Sequence, residues 1–151
     1  MASLLYIHGF LSSPQSHKAV QVKTWLQSHH PEINYICPSV SPYPDVAKQT
    51  LLSALEGAEG PVGLMGSSLG GYWATWLAEQ FDLRTVLINP SVHPQAMFPN
   101  YMGSPIKNFH TDEHYLLLDH HLVALWSVDT PIIKKTDNYC CLPKQVTKFW
   151  I

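Results

Sequence analysis

The residues whose types and spacing could do chemistry are Gly66-Ser67-Ser68-Leu69-Gly70. An apolar run precedes them and a helix-like run follows. This is the pattern of a strand–turn–helix corner that lifts a serine hydroxyl to its apex. A serine hydroxyl is a poor nucleophile until a base takes its proton, so a corner of this kind is half of a nucleophilic site. Ser68 is the candidate nucleophile toward an acyl carbonyl. The N–H of Leu69, at the helix N-terminus, is a candidate donor to the oxyanion that forms. Gly66 and Gly70 stand where side chains would clash in a tight turn, and Gly71 adds room for the helix to pack. Ser67 reads as a turn residue with a local hydrogen bond, because the glycine spacing centres on Ser68. Upstream, His8-Gly9-Phe10 ends the first apolar run. The N–H of Phe10 is the candidate second oxyanion donor, with Gly9 allowing close backbone approach. His8 itself reads as a strand-end histidine bonded to backbone rather than as a base.

A rival set of chemical groups lies further on: His110, Asp112, Glu113, His114, Asp119, His120 and His121. Histidines and carboxylates this dense can bind a divalent metal. No H-E-x-x-H or comparable spacing is present, however. The plainer reading is a polar insertion with scattered histidines. No metal and no cofactor is expected. Asp112 with His120 or His121 imitates an acid–base pair in the order the corner would need, and it is a weak candidate. Tyr72, Trp73, Trp76 and Leu77 read as core around the corner's helix.

These groups need elements to hold them. Ser3 to Ile7 suits a buried strand, and Ser16 to His29 has a helical pattern with Pro31 just past its end. Ile33 to Cys37 is the next strand candidate. Prolines 38, 42 and 44 mark the following segment as loop. Asp45 to Glu56 looks helical, with Gly57 at its end. Pro61 to Met65 is the strand entering the corner and Leu69 to Gln80 the helix leaving it. Thr85 to Ile88 is a further strand, closed by Asn89-Pro90. The order β-α-β-α-β-α-β is spaced as parallel βαβ units should be, and it predicts an α/β three-layer sandwich with a mostly parallel sheet. The rhythm breaks at residues 91–126, read as a cap-like insertion over the active-site end of the sheet. Thr130 to Lys135 is read as one more short element.

The chain has 151 residues, read as one domain. Its apolar fraction is 46%, its charged fraction 13% and its net charge −2 with histidines neutral. This balance gives no electrostatic case for nucleic acid or an anionic membrane. Three cysteines, Cys37, Cys140 and Cys141, make no paired framework and read as reduced thiols. No run approaches the roughly 18 apolar residues of a spanning helix. The cytoplasm is the expected compartment.

The stretch Leu4-Leu5-Tyr6-Ile7-His8-Gly9-Phe10-Leu11-Ser12-Ser13-Pro14 resembles the opening of the YqiA-type bacterial esterases, small members of the α/β-hydrolase superfamily. Trp25-Leu26, His30-Pro31 and Pro42-Tyr43-Pro44 continue the likeness. Gly66 to Leu77 resembles the family's elbow and helix, and Asn89-Pro90-Ser91-Val92 its next strand end. The resemblance implies an α/β-hydrolase domain. It also implies hydrolysis of small-molecule acyl esters or thioesters by a Ser-Asp-His triad without a metal, with Ser68 as nucleophile.

The chain departs from that family after the insertion. The family continues through a strand into Thr-Gly-Asp-Glu-Val-Leu-Asp, which carries the triad acid, and later a Gly-Asn-His segment supplies the base. Neither is present. The tail Lys144-Gln145-Val146-Thr147-Lys148-Phe149-Trp150-Ile151 can be written AAA CAG GTG ACG AAG TTT TGG ATT. One base earlier the same string reads Thr-Gly-Asp-Glu-Val-Leu-Asp. Residues 139–151 are therefore expected to be an out-of-frame tail, with a frameshift between about Asn138 and Lys144, and the domain to be incomplete at its C-terminus. Such a chain should fold poorly and be impaired as an esterase. The alternative is a non-catalytic remnant that binds an acyl ligand or a partner.

Overall fold

A computed structural model of the chain describes residues 1–142. Its frame is a run of strands and helices in alternation: β1 (Ala2–Ile7), α1 (His17–His29), β2 (Ile33–Ile36), α2 (Pro44–Glu56), β3 (Val62–Ser67), α3 (Leu69–Phe81) and β4 (Thr85–Ile88). The apolar runs at the centre of the sheet become strands because they are buried between two helical layers. Leu5, Tyr6 and Ile7 of β1 are fully buried, as a parallel strand covered on both faces requires. A five-stranded sheet has the order β2-β1-β3-β4-β7, where β7 is Tyr139–Leu142. Every pairing in it is parallel. β1 and β3 are adjacent, with Ile7 opposite Gly66, so the loops that leave them start side by side.

The two faces of the sheet are covered by different helices, and strand alternation decides which residues meet which. Leu5, Ile7 and Leu64 pack into one cluster with Ala47 and Leu51 of α2 and Tyr72, Trp73, Trp76 and Leu77 of α3. Tyr6 points to the opposite face, beside Tyr35, whose hydroxyl donates to the Ala19 carbonyl of α1 at 2.9 Å. The result is a three-layer α/β sandwich.

Residues after β4 form α4 (Pro94–Met97), a 3-10 turn (Phe98–Tyr101), a small hairpin of β5 (Ile106–Lys107) and β6 (His114–Tyr115), and α5 (Asp119–Trp126). This segment is tied to the C-terminal end of the sheet. Phe109 N–H donates to the Leu11 carbonyl at 2.8 Å, and the Asn108 amide donates to the Ser12 carbonyl at 3.1 Å. The buried Tyr72 hydroxyl of α3 donates to the Leu125 carbonyl of α5 at 2.8 Å and accepts from the Gln95 amide at 2.6 Å.

One expected element is absent from its place. Thr130 to Lys135 carries no regular structure, and the strand that joins the sheet lies later, at Tyr139–Leu142. The reason is anchoring by α3. Glu79 accepts from the N–H groups of Lys134 and Lys135 and from the Tyr139 hydroxyl, so 134–135 is held as a crossover against the helix. The first four residues of the expected out-of-frame tail are thus strand β7, and Asn89 N–H donates to the Leu142 carbonyl at 2.8 Å. The rest of that tail lies outside the described residues. Among the described residues no helix is long and apolar enough to cross a membrane.

Candidate active site

Ser68 stands between β3 and α3 with φ 55° and ψ −120°. A positive φ is costly for a non-glycine residue, of order 1–3 kcal/mol, and persists only where the surroundings enforce it. Here they do. Ser68 N–H donates to the Ile88 carbonyl at 3.1 Å, and the Ser68 carbonyl accepts from Gly71 and Ser91 N–H, each at 2.9 Å. The glycines make the turn sterically possible. A Cβ on Gly66 would overlap the Gly70 carbonyl and lie 2.8 Å from the Ala74 Cβ. One on Gly70 would overlap the Ile7 carbonyl oxygen and lie 2.7 Å from that of His8, and one on Gly71 would lie 2.6 Å from the Pro90 Cβ. Ser68 is exposed at the apex while Ser67 is buried as the last residue of β3. Ser67 is therefore a strand residue beside Tyr6, not a turn residue with a local bond.

Phe10, Ser68 and Leu69 line one cleft of about 360 Å³, whose far wall is Met97, Phe98 and Tyr101 from the segment after β4. Phe10 and Leu69 N–H have no acceptor among the described residues. The two unpaired donors and the serine share one opening. Gly9 is close to Ser68 but not in need of being glycine, because a Cβ there would make ordinary contact at 3.4 Å with the Ser68 Cβ. His8 is 2% exposed. Its Nε2 accepts from Val40 N–H at 2.9 Å, and its Nδ1 lies 2.9 Å from the Gly9 carbonyl. Both nitrogens are committed to backbone, which fixes the neutral Nδ1–H tautomer, and burial pushes its pKa down. It cannot serve Ser68, and it clamps the loop that carries Phe10.

The rival histidines are scattered. His121 Nδ1 accepts from Leu118 N–H at 2.9 Å at the start of α5, and its ring stacks on Tyr43. Asp112 pairs with Lys107 at 2.7 Å on the surface. His114 lies in β6 with Nδ1 3.0 Å from the Asp112 carbonyl. Asp112 and His121 thus have separate partners. Among the described residues no three His, Cys, Asp or Glu side chains converge on a metal position. His93 lines the first cleft and His110 a second one beside Ser68, and among the described residues no carboxylate lines either. The sequence reading passed over His93, Met97, Phe98 and Tyr101. Nothing in their spacing marks them, since the insertion's path alone brings them to Ser68.

The sequence profile of the uncharacterised protein family UPF0227 matches residues 3–146. The chain belongs to the UPF0227 family. A UPF0227 protein of Shewanella loihica is 36% identical over 98 residues, which cover 61% of this chain and 52% of that protein. The chain thus spans about half the length of the curated UPF0227 relatives it matches. Among solved structures, the mouse α/β-hydrolase domain-containing protein 10 superposes with a TM-score of 0.54 at 23% identity, covering 65% of this chain and 45% of its own. Est1E from Butyrivibrio proteoclasticus, with ferulic acid bound, gives a TM-score of 0.56 at 11% identity over 91% of this chain and 63% of its own. At these identities the likeness is one of fold, and the fold is that of the α/β-hydrolases.

Proposed function

We propose that this UPF0227 chain carries the acylation half of a serine esterase site. Ser68 is the nucleophile, and the Phe10 and Leu69 N–H groups receive the oxyanion as the carbonyl carbon becomes tetrahedral. The leaving alcohol or thiol then departs and water releases the acid from the acyl-enzyme. The observation that carries this reading is the exposed Ser68 at φ 55°, sharing one cleft with two unpaired N–H donors. A turn that only joined a strand to a helix would have no use for that strain. The apolar cleft suits an acyl chain. Elbow glycines Gly66 and Gly70 hold the geometry.

A Ser-Asp-His triad also needs an acid-oriented histidine, and among the described residues no carboxylate lines either cleft. Turnover by this chain is accordingly low, at the residual level that an oxyanion hole and binding sustain, roughly 10³–10⁴ over water. That same lack favours the second reading, a non-catalytic module that holds an acyl ligand. A fluorophosphonate probe separates them. Covalent labelling at Ser68, found by peptide mass spectrometry and lost in Ser68→Ala, is expected. A folded protein that stays unlabelled and still binds a fatty-acid analogue would replace the esterase with the binding module.

A further inference from the structure

The second cleft beside Ser68, about 550 Å³, lies on the other side of Phe10 and Tyr101, whose rings meet edge to face at 5.1 Å. It differs from the first in the charge at its rim, since it carries a lysine and the start of a helix. At its floor is Tyr6, fully buried, whose hydroxyl makes no well-formed hydrogen bond among the described residues and has only the Ser67 side chain as a loose polar neighbour. A buried hydroxyl left unpaired costs roughly 1–3 kcal/mol, so its persistence points to something that arrives to accept from it. The rim is Ser16, His17 and Lys18, the start of α1, with His110 opposite. That helix end has no acidic residue in its first turn and no side-chain cap, and the N–H groups of His17, Lys18 and Ala19 have no acceptor among the described residues. Lys18 makes no ion pair among the described residues. An ammonium, a row of unpaired N–H donors, the positive end of a helix dipole and an orphaned hydroxyl, with no carboxylate among them, form a surface for oxygen anions.

We propose that this cleft is a substrate-recognition subsite for an anionic oxygen group, carboxylate or phosphate, carried by the ester that Ser68 attacks. The proposal rests on the esterase reading. The ester straddles Ser68, with its apolar arm in the first cleft and its charged arm against Lys18 and the Tyr6 hydroxyl. A cation and a helix N-terminus on one side of the serine only fix which way round the ester lies, something two uncharged clefts cannot do.

Binding is read in the full chain with Ser68→Ala, by calorimetry, using monoethyl adipate, the ethyl ester of 6-phosphohexanoate, the uncharged ethyl hexanoate and inorganic phosphate. At least one charged ester should bind roughly tenfold tighter than ethyl hexanoate, the factor expected of a charge-assisted hydrogen bond. Which of the two binds tighter identifies the anion. Lys18→Gln and Tyr6→Phe, each added singly, should cut that preference to about twofold while leaving ethyl hexanoate unchanged. Equal affinities of charged and uncharged esters overturn the proposal, as does a preference that survives both substitutions. Inorganic phosphate binding as tightly as the charged esters overturns it too, since the cleft would then hold a free anion. Fluorophosphonate labelling of the unsubstituted chain tests the nucleophile separately. Failure there removes the esterase reading while the binding result stands, and the reverse also holds.

Discussion

Ser68 is held at φ 55° by backbone groups from three directions, and the glycines around it differ in how much they matter. A Cβ at Gly70 meets the backbone carbonyl of Ile7, which cannot swing aside without unpairing β1. Gly70→Ala should therefore destabilise the protein by at least about 2 kcal/mol in urea unfolding. Gly9→Ala places its Cβ at ordinary contact distance and has no positive φ to relieve. It should change stability by less than about 1 kcal/mol. Equal costs at the two positions would show that the turn yields where the geometry says it is rigid. His8 offers a second residue-scale prediction. Its folded pKa lies below that of a free histidine because burial disfavours the charged ring. The folded state therefore binds fewer protons than the unfolded state just below pH 6.5. The stability His8 provides is complete above about pH 6.5 and is lost as pH falls through the folded pKa. Protonation also removes the acceptor of Val40 N–H. The drop in unfolding free energy between pH 7.5 and 5.5 should be smaller in His8→Gln than in the parent; an unchanged drop assigns it to other groups, such as His121, whose pKa burial also lowers.

At the scale of elements, the site is made where three separate connections converge: the loop after β1, the corner between β3 and α3, and the segment α4 to α5. The first two are adjacent because β1 and β3 are hydrogen-bonded neighbours in the sheet. The third is fastened by Tyr72, which ties α3 to α5 through the Leu125 carbonyl and to α4 through Gln95. Tyr72→Phe removes both bonds and leaves the Leu125 carbonyl with the long Val128 N–H contact at 3.4 Å. A loss of about 1–3 kcal/mol is expected. Faster amide exchange across 94–126, with α3 itself unchanged, would be its signature. If α3 loosens equally, the insertion and the frame unfold as one unit and the tyrosine is not the joint between them.

At the scale of the whole molecule, an all-parallel sheet needs helices on both faces. Here α2 and α3 lie over one face with α5 packed against α2, and among the described residues α1 covers the other. The second cleft opens beside α1, which is why a strand residue as deep as Tyr6 lines it. The esterase reading assigns no role to a metal anywhere in this arrangement. Prolonged treatment with EDTA should leave the extent of Ser68 labelling and the urea midpoint unchanged. A loss of both on chelation, restored by zinc, would return the histidine-rich insertion to consideration as a metal module.

The seven alternating elements from β1 to β4 were legible in the sequence to within a residue or two. Each is local: an apolar run bounded by glycine, proline or a polar turn. The corner at Ser68 was legible for the same reason, since its glycines are demanded by contacts a few residues away, such as Gly66 against Gly70 and Ala74. Where long-range contacts decide, the sequence was silent or misleading. Thr130 to Lys135 reads as one more short element, yet Glu79 of α3 pins its end outside the sheet and leaves pairing with β4 to Tyr139–Leu142. His121 looked like a candidate base or ligand until packing turned it onto Leu118 N–H and Tyr43. Tyr6 is indistinguishable in sequence from its buried neighbours Leu5 and Ile7. Only strand alternation and the single helix on its face leave its hydroxyl unpaired beside Ser68. Short-range periodicity and turn chemistry are written residue by residue along the chain. Which side chains share a cleft depends on contacts between residues far apart in sequence, and those exist only once the sheet and the insertion have packed.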